Sequence, residues 1–159
     1  MRYPLTPAPS KEDADALVAL PKYIRRMPVV RAINQDLRIK TDRIYDSAGR
    51  PTGLTVDAHV SASGATRGET PRVCPIWRGE PIRCVDWHVR REFADGTVVE
   101  GWHEHLGPGG GGRAFAPPLE GENDLEAMFV CACQSWNITI MTRRDQRLKV
   151  VEDHDGNHS

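Results

Sequence analysis

Apolar positions recur along this chain with two periods, and together they divide it into elements. Ser10 precedes Glu12 and Asp13, a cap followed by acidic residues where a helix dipole favours negative charge. Leu17, Val18 and Leu20 give this short helix an apolar side, and Pro21 ends it. A basic connector follows through Pro28, carrying Val29, Val30 and Ile33. Residues 37–45 (LRIKTDRIY) and 54–60 (LTVDAHV) read as strands around the turn-rich DSAGRPTG. In the second strand Leu54, Val56, Ala58 and Val60 share one face. Residues 61–72 read as a polar loop and 82–106 as a second hairpin. The run GPGGGG at 107–112 is too glycine-rich for a regular element and predicts a mobile loop. Asn123 then caps a helix whose Leu125, Met128, Phe129, Ala132 and Trp136 form one apolar stripe, and NITIM at 137–141 is a last strand.

This order predicts an α+β fold. An antiparallel sheet is built from two successive β-hairpins and a C-terminal strand, packed on one face by the amphipathic helix and the short N-terminal helix. Residues 1–9 read as an extended arm, 10–151 as a single domain and 152–159 as a disordered tail.

The second hairpin turns at Asp95-Gly96, a pair suited to a two-residue loop with positive φ at both positions. That loop sets His88 across from His103, Asp86 from His105, Arg90 from Gly101 and Arg91 from Glu100. One face then carries Cys84, Asp86, His88, Arg90, His103 and His105, while Trp87, Phe93 and Trp102 go to the greasy face. A three-residue loop would instead put His88 across from Trp102 and mix the two sets, so consistency of the faces favours the shorter loop.

Charge and cysteine content narrow the partners. With a net charge of −1 over 159 residues the chain is no overall polycation. Locally, Lys22, Arg25, Arg26, Arg31, Arg38, Lys40 and Arg43 face only Asp36 and Asp42, and Arg143, Arg144, Arg147 and Lys149 face only Asp145. Two such segments make a phosphate-binding surface if the fold brings them together, and a solvated face if it does not. No apolar run approaches the roughly 18 residues of a membrane span, and without a signal-like N-terminus a cytoplasmic protein is expected. In that compartment Cys74, Cys84, Cys131 and Cys133 are expected reduced.

Three chemistries fit the histidine face. Two imidazoles in one cleft serve as general base and general acid, with Asp86 orienting a ring and Arg83 or Arg90 holding phosphate. That equipment cleaves RNA through its own 2′-hydroxyl and calls for no metal or cofactor. Alternatively His103, His105 and His88, with Asp86 or Cys84, ligate a metal. In the plainest case the face is merely solvated.

The segments RCVDWH, ending at His88, and WHEH at 102–105, followed by a loop and a short amphipathic helix, resemble the small TumE-like toxins of prokaryotic toxin–antitoxin modules. The resemblance covers roughly residues 83–136 and departs from the family's Arg-x-Asp segment, since two residues separate Arg83 from Asp86, and in the insertion at 107–112. It implies RNA-directed, growth-inhibiting activity neutralised by a protein partner, with Arg83, Asp86, His88, His103 and His105 in the site. The expected function is thus a metal-independent endoribonuclease using His88 and His103, with His105 and Asp86 beside them and Arg83, Arg90, Arg25, Arg26, Arg143 and Arg144 holding substrate. The alternative is a non-enzymatic domain that binds nucleic acid or a larger protein complex through its basic segments.

Overall fold

The computed structural model describes residues 9–34, 36–60, 72–107, 110–116 and 125–140. Most of the arm, nearly all of the 61–72 loop, Asn123, the basic segment with Arg143 and Arg144, and the tail lie outside the described residues.

The fold is α+β, as read. Helix α1 (Lys11–Ala19) starts where expected, with the Ser10 hydroxyl accepting the Asp13 N–H at 3.1 Å. The basic connector, however, forms strands β1 (Lys22–Ile24) and β2 (Arg31–Ile33). The segment 37–45 divides into β3 (Asp36–Lys40) and β4 (Tyr45–Asp46), which belong to different sheets. Thr41 causes the break: its hydroxyl accepts the Val56 N–H at 2.8 Å, replacing the backbone partner that would extend β3. The chain then turns inward and buries Ile44 completely.

Strands β5 (Leu54–Val60), β6 (Arg72–Trp77), β7 (Glu80–Pro81), β8 (Cys84–Glu92), β9 (Val98–His105) and β10 (Gly112–Ala114) follow. The large sheet runs β10-β9-β8-β6-β5-β3-β2, with β7 paired to β6, and all its pairings are antiparallel. Between β6 and β7, Arg78 and Gly79 both take positive φ, the signature of a tight two-residue hairpin turn. Helix α2 (Leu125–Ser135) leads into β11 (Ile138–Ile140). Strand β11 does not extend the large sheet. It pairs in parallel with β1, which pairs antiparallel with β4 in a second, three-stranded sheet.

Alternation gives the large sheet two unlike faces. Ile39, Leu54, Val56, Ala58, Val60, Val73 and Val85 are buried on one, under the Leu125, Met128, Phe129, Ala132 and Trp136 stripe of α2. The other face carries Arg31, Arg38, Lys40, Asp57, His59 and Arg72 by register.

Lys22 departs from the basic surface expected of its segment. It is 3% exposed, and its Nζ donates to the carbonyls of Leu17, Val18, Leu20 and Trp136 at 2.6–2.9 Å. These carbonyls lie at the C-terminal ends of both helices, where a cation is favoured. The ammonium therefore ties α1, β1 and α2 together. Burial pushes its pKa down to about 8.

Candidate functional site

The β8–β9 hairpin closes with the longer loop. Phe93 N donates to the Thr97 carbonyl at 2.8 Å, Ala94, Asp95 and Gly96 form the turn, and Gly96 takes φ 88°. Asp95 Oδ1 accepts from the Thr97 hydroxyl and backbone N–H, which holds the Asp95 carboxyl below its ordinary pKa. The expected mixing of faces does not occur, because the register shifts between His88 and Arg91. Val89 and Arg90 together oppose Glu100, a β-bulge that restores the alternation.

The pairings therefore differ from those of the two-residue loop. Asp86 lies across from His103, Cys84 from His105, His88 from Gly101 and Arg91 from Val99. His88 and His103 are diagonal rather than opposite neighbours, with ring centroids 5.1 Å apart. The bulge moves Phe93 onto the histidine face, 5.0 Å from His105 and 5.7 Å from His103, and the Arg91 guanidinium lies 4.9 Å over the Phe93 ring. Trp102 packs against the core as expected, whereas Trp87 stays half-buried outside it.

The glycine-rich run has a packing role. Gly112 opens β10, pairing with His105 along the edge of the sheet, so the last glycine of the run belongs to a regular element, contrary to expectation. A Cβ on Gly112 would collide with one edge of the Phe93 ring, so any larger residue there forces the return strand or the hairpin tip to shift. Phe93 and β10 thus close around His103, which is 0% exposed.

That burial changes what each histidine can do. His103 Nδ1 donates to the Gly101 carbonyl at 3.0 Å, and its Nε2 is buried without a hydrogen-bond partner. His88 is 41% exposed in its side chain; its Nδ1 is buried without a hydrogen-bond partner, 4.0 Å from Asp86 Oδ2. His105 is held below its ordinary pKa by burial first, then by Arg91, Arg72, His103 and Arg83.

Arg83, expected to hold phosphate, points inward instead. It is 6% exposed, its Nη1 donates to the carbonyls of Ile82 and Leu106 at 2.8 and 3.0 Å, and its Nη2 pairs with Asp15. Its role is to clamp the start of β8 to α1. Glu104, on the opposite face from the histidines, is 1% exposed and accepts from Arg113 Nε at 2.7 Å and Trp136 Nε1 at 2.5 Å. It ties the histidine strand to β10 and α2, a structural role that a charge on a core face could have signalled. Among the described residues, no three His, Cys, Asp or Glu side chains converge as a metal-ligand set.

Two of the four cysteines are joined. Cys74 on β6 and Cys84 on β8 form a disulfide with Cα atoms 4.3 Å apart, correcting the expectation that they are reduced. The Val73–Val85 pairing brings them opposite each other, a proximity between distant residues that only the strand order creates.

The first basic segment does converge. Arg25, Arg26, Arg31, Arg38, Lys40 and Arg43 surround a groove of about 910 Å³, with Asp42 the one acidic residue lining it among the described residues. Arg25 lies 4.0 Å over the Tyr45 ring, also in the lining. Arg38 is paired with His59, and His59 with Arg72. Continuing the Val73–Val85 register brings Arg72 beside Asp86, so one row of side chains leads from the groove to the histidines. Arg90, expected on the histidine face, is exposed but sits with Val89 in the bulge opposite Glu100, out of phase with His88 and Arg91.

No helix among the described residues is long and apolar enough to cross a membrane. Comparisons with protein-family models, curated proteins and solved structures found no match to this chain.

Proposed function

We propose that this protein is RNA-directed and binds single-stranded RNA through the basic groove and the polar sheet face that continues it. The observation that carries this reading is the convergence, among the described residues, of six cationic side chains around one concavity with a single carboxylate among them. Phosphate contacts from such a surface supply sequence-independent affinity. The row from Arg38 to His88 crosses three strand spacings, roughly 15 Å, enough to follow several phosphates.

Binding of labelled single-stranded RNA, followed by anisotropy over a salt series, tests the proposal. Four phosphate contacts give a slope of log K against log salt of about −2.8. The Arg38→Ala and Lys40→Ala variants each flatten it by about 0.7 and weaken all sequences alike. Wild-type protein that fails to bind at low salt overturns the proposal.

A second reading, cleavage of the bound RNA, is favoured by the unpartnered inward nitrogens of His88 and His103. In it, His88 removes the 2′-hydroxyl proton, the resulting oxygen attacks the adjacent phosphorus, and the departing 5′ oxygen takes a proton from solvent. His103 touches no substrate here and acts as a positioning residue. Products ending in 2′,3′-cyclic phosphate, abolished in His88→Ala with binding retained, are expected. Intact RNA after long incubation with wild type leaves binding alone.

A further inference from the structure

We propose that Cys74–Cys84 is a thiol-exchange site, at which a small thiolate attacks Cys74 and Cys84 leaves as a thiolate held by Arg72. Both cysteines are buried, Cys74 at 8% and Cys84 at 5% exposed, so a thiol reaches them only past the exposed Arg72, whose Nη2 contacts Cys84 Sγ at 3.4 Å. A guanidinium at one sulfur and not the other makes that sulfur the better leaving group.

The neighbour of Cys74 acts in the opposite sense. Asp57 lies directly across β5–β6 from Cys74, and its Oδ1 is buried without a hydrogen-bond partner. Cross-strand partners have Cβ atoms about 4.5–5.5 Å apart, within reach of a hydrogen bond between their side chains. A carboxylate there disfavours a Cys74 thiolate and favours a Cys74 thiol, whose S–H supplies the donor that the disulfide withholds. The dithiol form thus pairs Arg72 with a thiolate and offers a thiol donor to Asp57, which has Lys40 across from it on β3. The other two cysteines, Cys131 and Cys133, are not joined, and burial raises the pKa of both, outweighing the nearby Lys22 at Cys133.

The exchange balances with an external monothiol as reductant. One thiolate forms a mixed disulfide at Cys74 and expels Cys84. A second attacks the outer sulfur of that mixed disulfide, releasing the oxidised small thiol, and Cys74 takes a proton from water. Two thiols are oxidised for one protein disulfide reduced. Because the described β6–β8 ladder contains the single pair Val73–Val85 beside this link, exchange acts at the junction between the groove half of the sheet and the histidine half.

The test treats the native protein with glutathione, quenches with acid, alkylates and locates the modified cysteines by mass spectrometry. Tryptophan fluorescence monitors the fold in parallel. Reduction without unfolding is expected, with glutathione found transiently on Cys74 and the alkylating group on Cys84. Arg72→Met is expected to slow reduction about three- to tenfold, and Arg72→Lys to restore much of the rate. Reduction only after unfolding, a wild-type rate in Arg72→Met, or glutathione on Cys84 each overturns the proposal. None of these readouts involves RNA, so the result stands apart from the binding proposal.

Discussion

Glu104 is the side chain on which the position of the histidine strand depends most, and a double-mutant cycle with Arg113 measures how much. The carboxylate is 1% exposed, whereas the Arg113 side chain is 59% exposed. The two ends of this ion pair therefore respond differently to loss of the partner. Arg113→Met strands a buried carboxylate with only Trp136 Nε1 as a donor, and breaking a buried pair in this way costs about 3–5 kcal/mol. Glu104→Met leaves a guanidinium that water can reach, but it also leaves the fully buried Trp136 N–H unpaired, for about 1–3 kcal/mol. The double variant removes the stranded carboxylate and keeps only the tryptophan penalty. It should be no less stable than Glu104→Met to within about 0.5 kcal/mol. The cycle thus predicts a coupling of at least about 2 kcal/mol, read from urea unfolding at constant m-value. Additive losses, with the double variant worse than either single one by the full sum, would refute the clip.

Lys22 should titrate with a midpoint near 8 when its side chain is followed by NMR, and a midpoint at the ordinary lysine value would remove it from its carbonyl cage. Because the native pKa lies below the unfolded one, the unfolded chain binds the proton more tightly over that window, and this group's contribution to stability rises with pH from about 8 to about 10.5. His105 is depressed in the same sense, so its contribution is present above its ordinary pKa and is lost as pH falls below it. A His105→Gln variant should flatten that part of the stability profile, and an unchanged profile counts against the packing around His105. Gly112→Ala drives a methyl into the Phe93 ring and should cost about 1–3 kcal/mol in chemical unfolding, with Phe93→Leu recovering part of the loss. A neutral Gly112→Ala would mean that β10 does not run beneath the hairpin tip.

Local signals in the sequence carried well where structure is local. Ser10 caps its helix, the stripe from Leu125 to Trp136 is buried, and the alternation in 54–60 separates core from solvent. The histidines do gather with Asp86 on one face, though in a different register. The turn was misjudged because regular alternation was assumed through residues 89 and 90, where a bulge lets the longer loop and consistent faces coexist. Strand β6 is hard to read locally because Pro75 sits in the middle of its apolar run. What sequence spacing does not contain is the order of strands. Register across β6 and β8 joins Cys74 to Cys84, and burial under Phe93 separates the enclosed His103 from the exposed His88. The same limit applies to charge: one basic run holds both the groove arginines and Lys22, which only the packing of two helix ends draws inward.

The central claim is that the groove and sheet face bind RNA through phosphate contacts. The most direct measurement is the salt dependence of single-stranded RNA binding by wild type and by an Arg31→Glu, Arg38→Glu, Lys40→Glu variant. The account predicts a wild-type slope of about −2.8 and loss of binding in the triple variant, which stays folded at a cost of about 1 kcal/mol where the Lys40→Glu carboxylate faces Asp57. Binding that survives all three reversals with the same slope would contradict it.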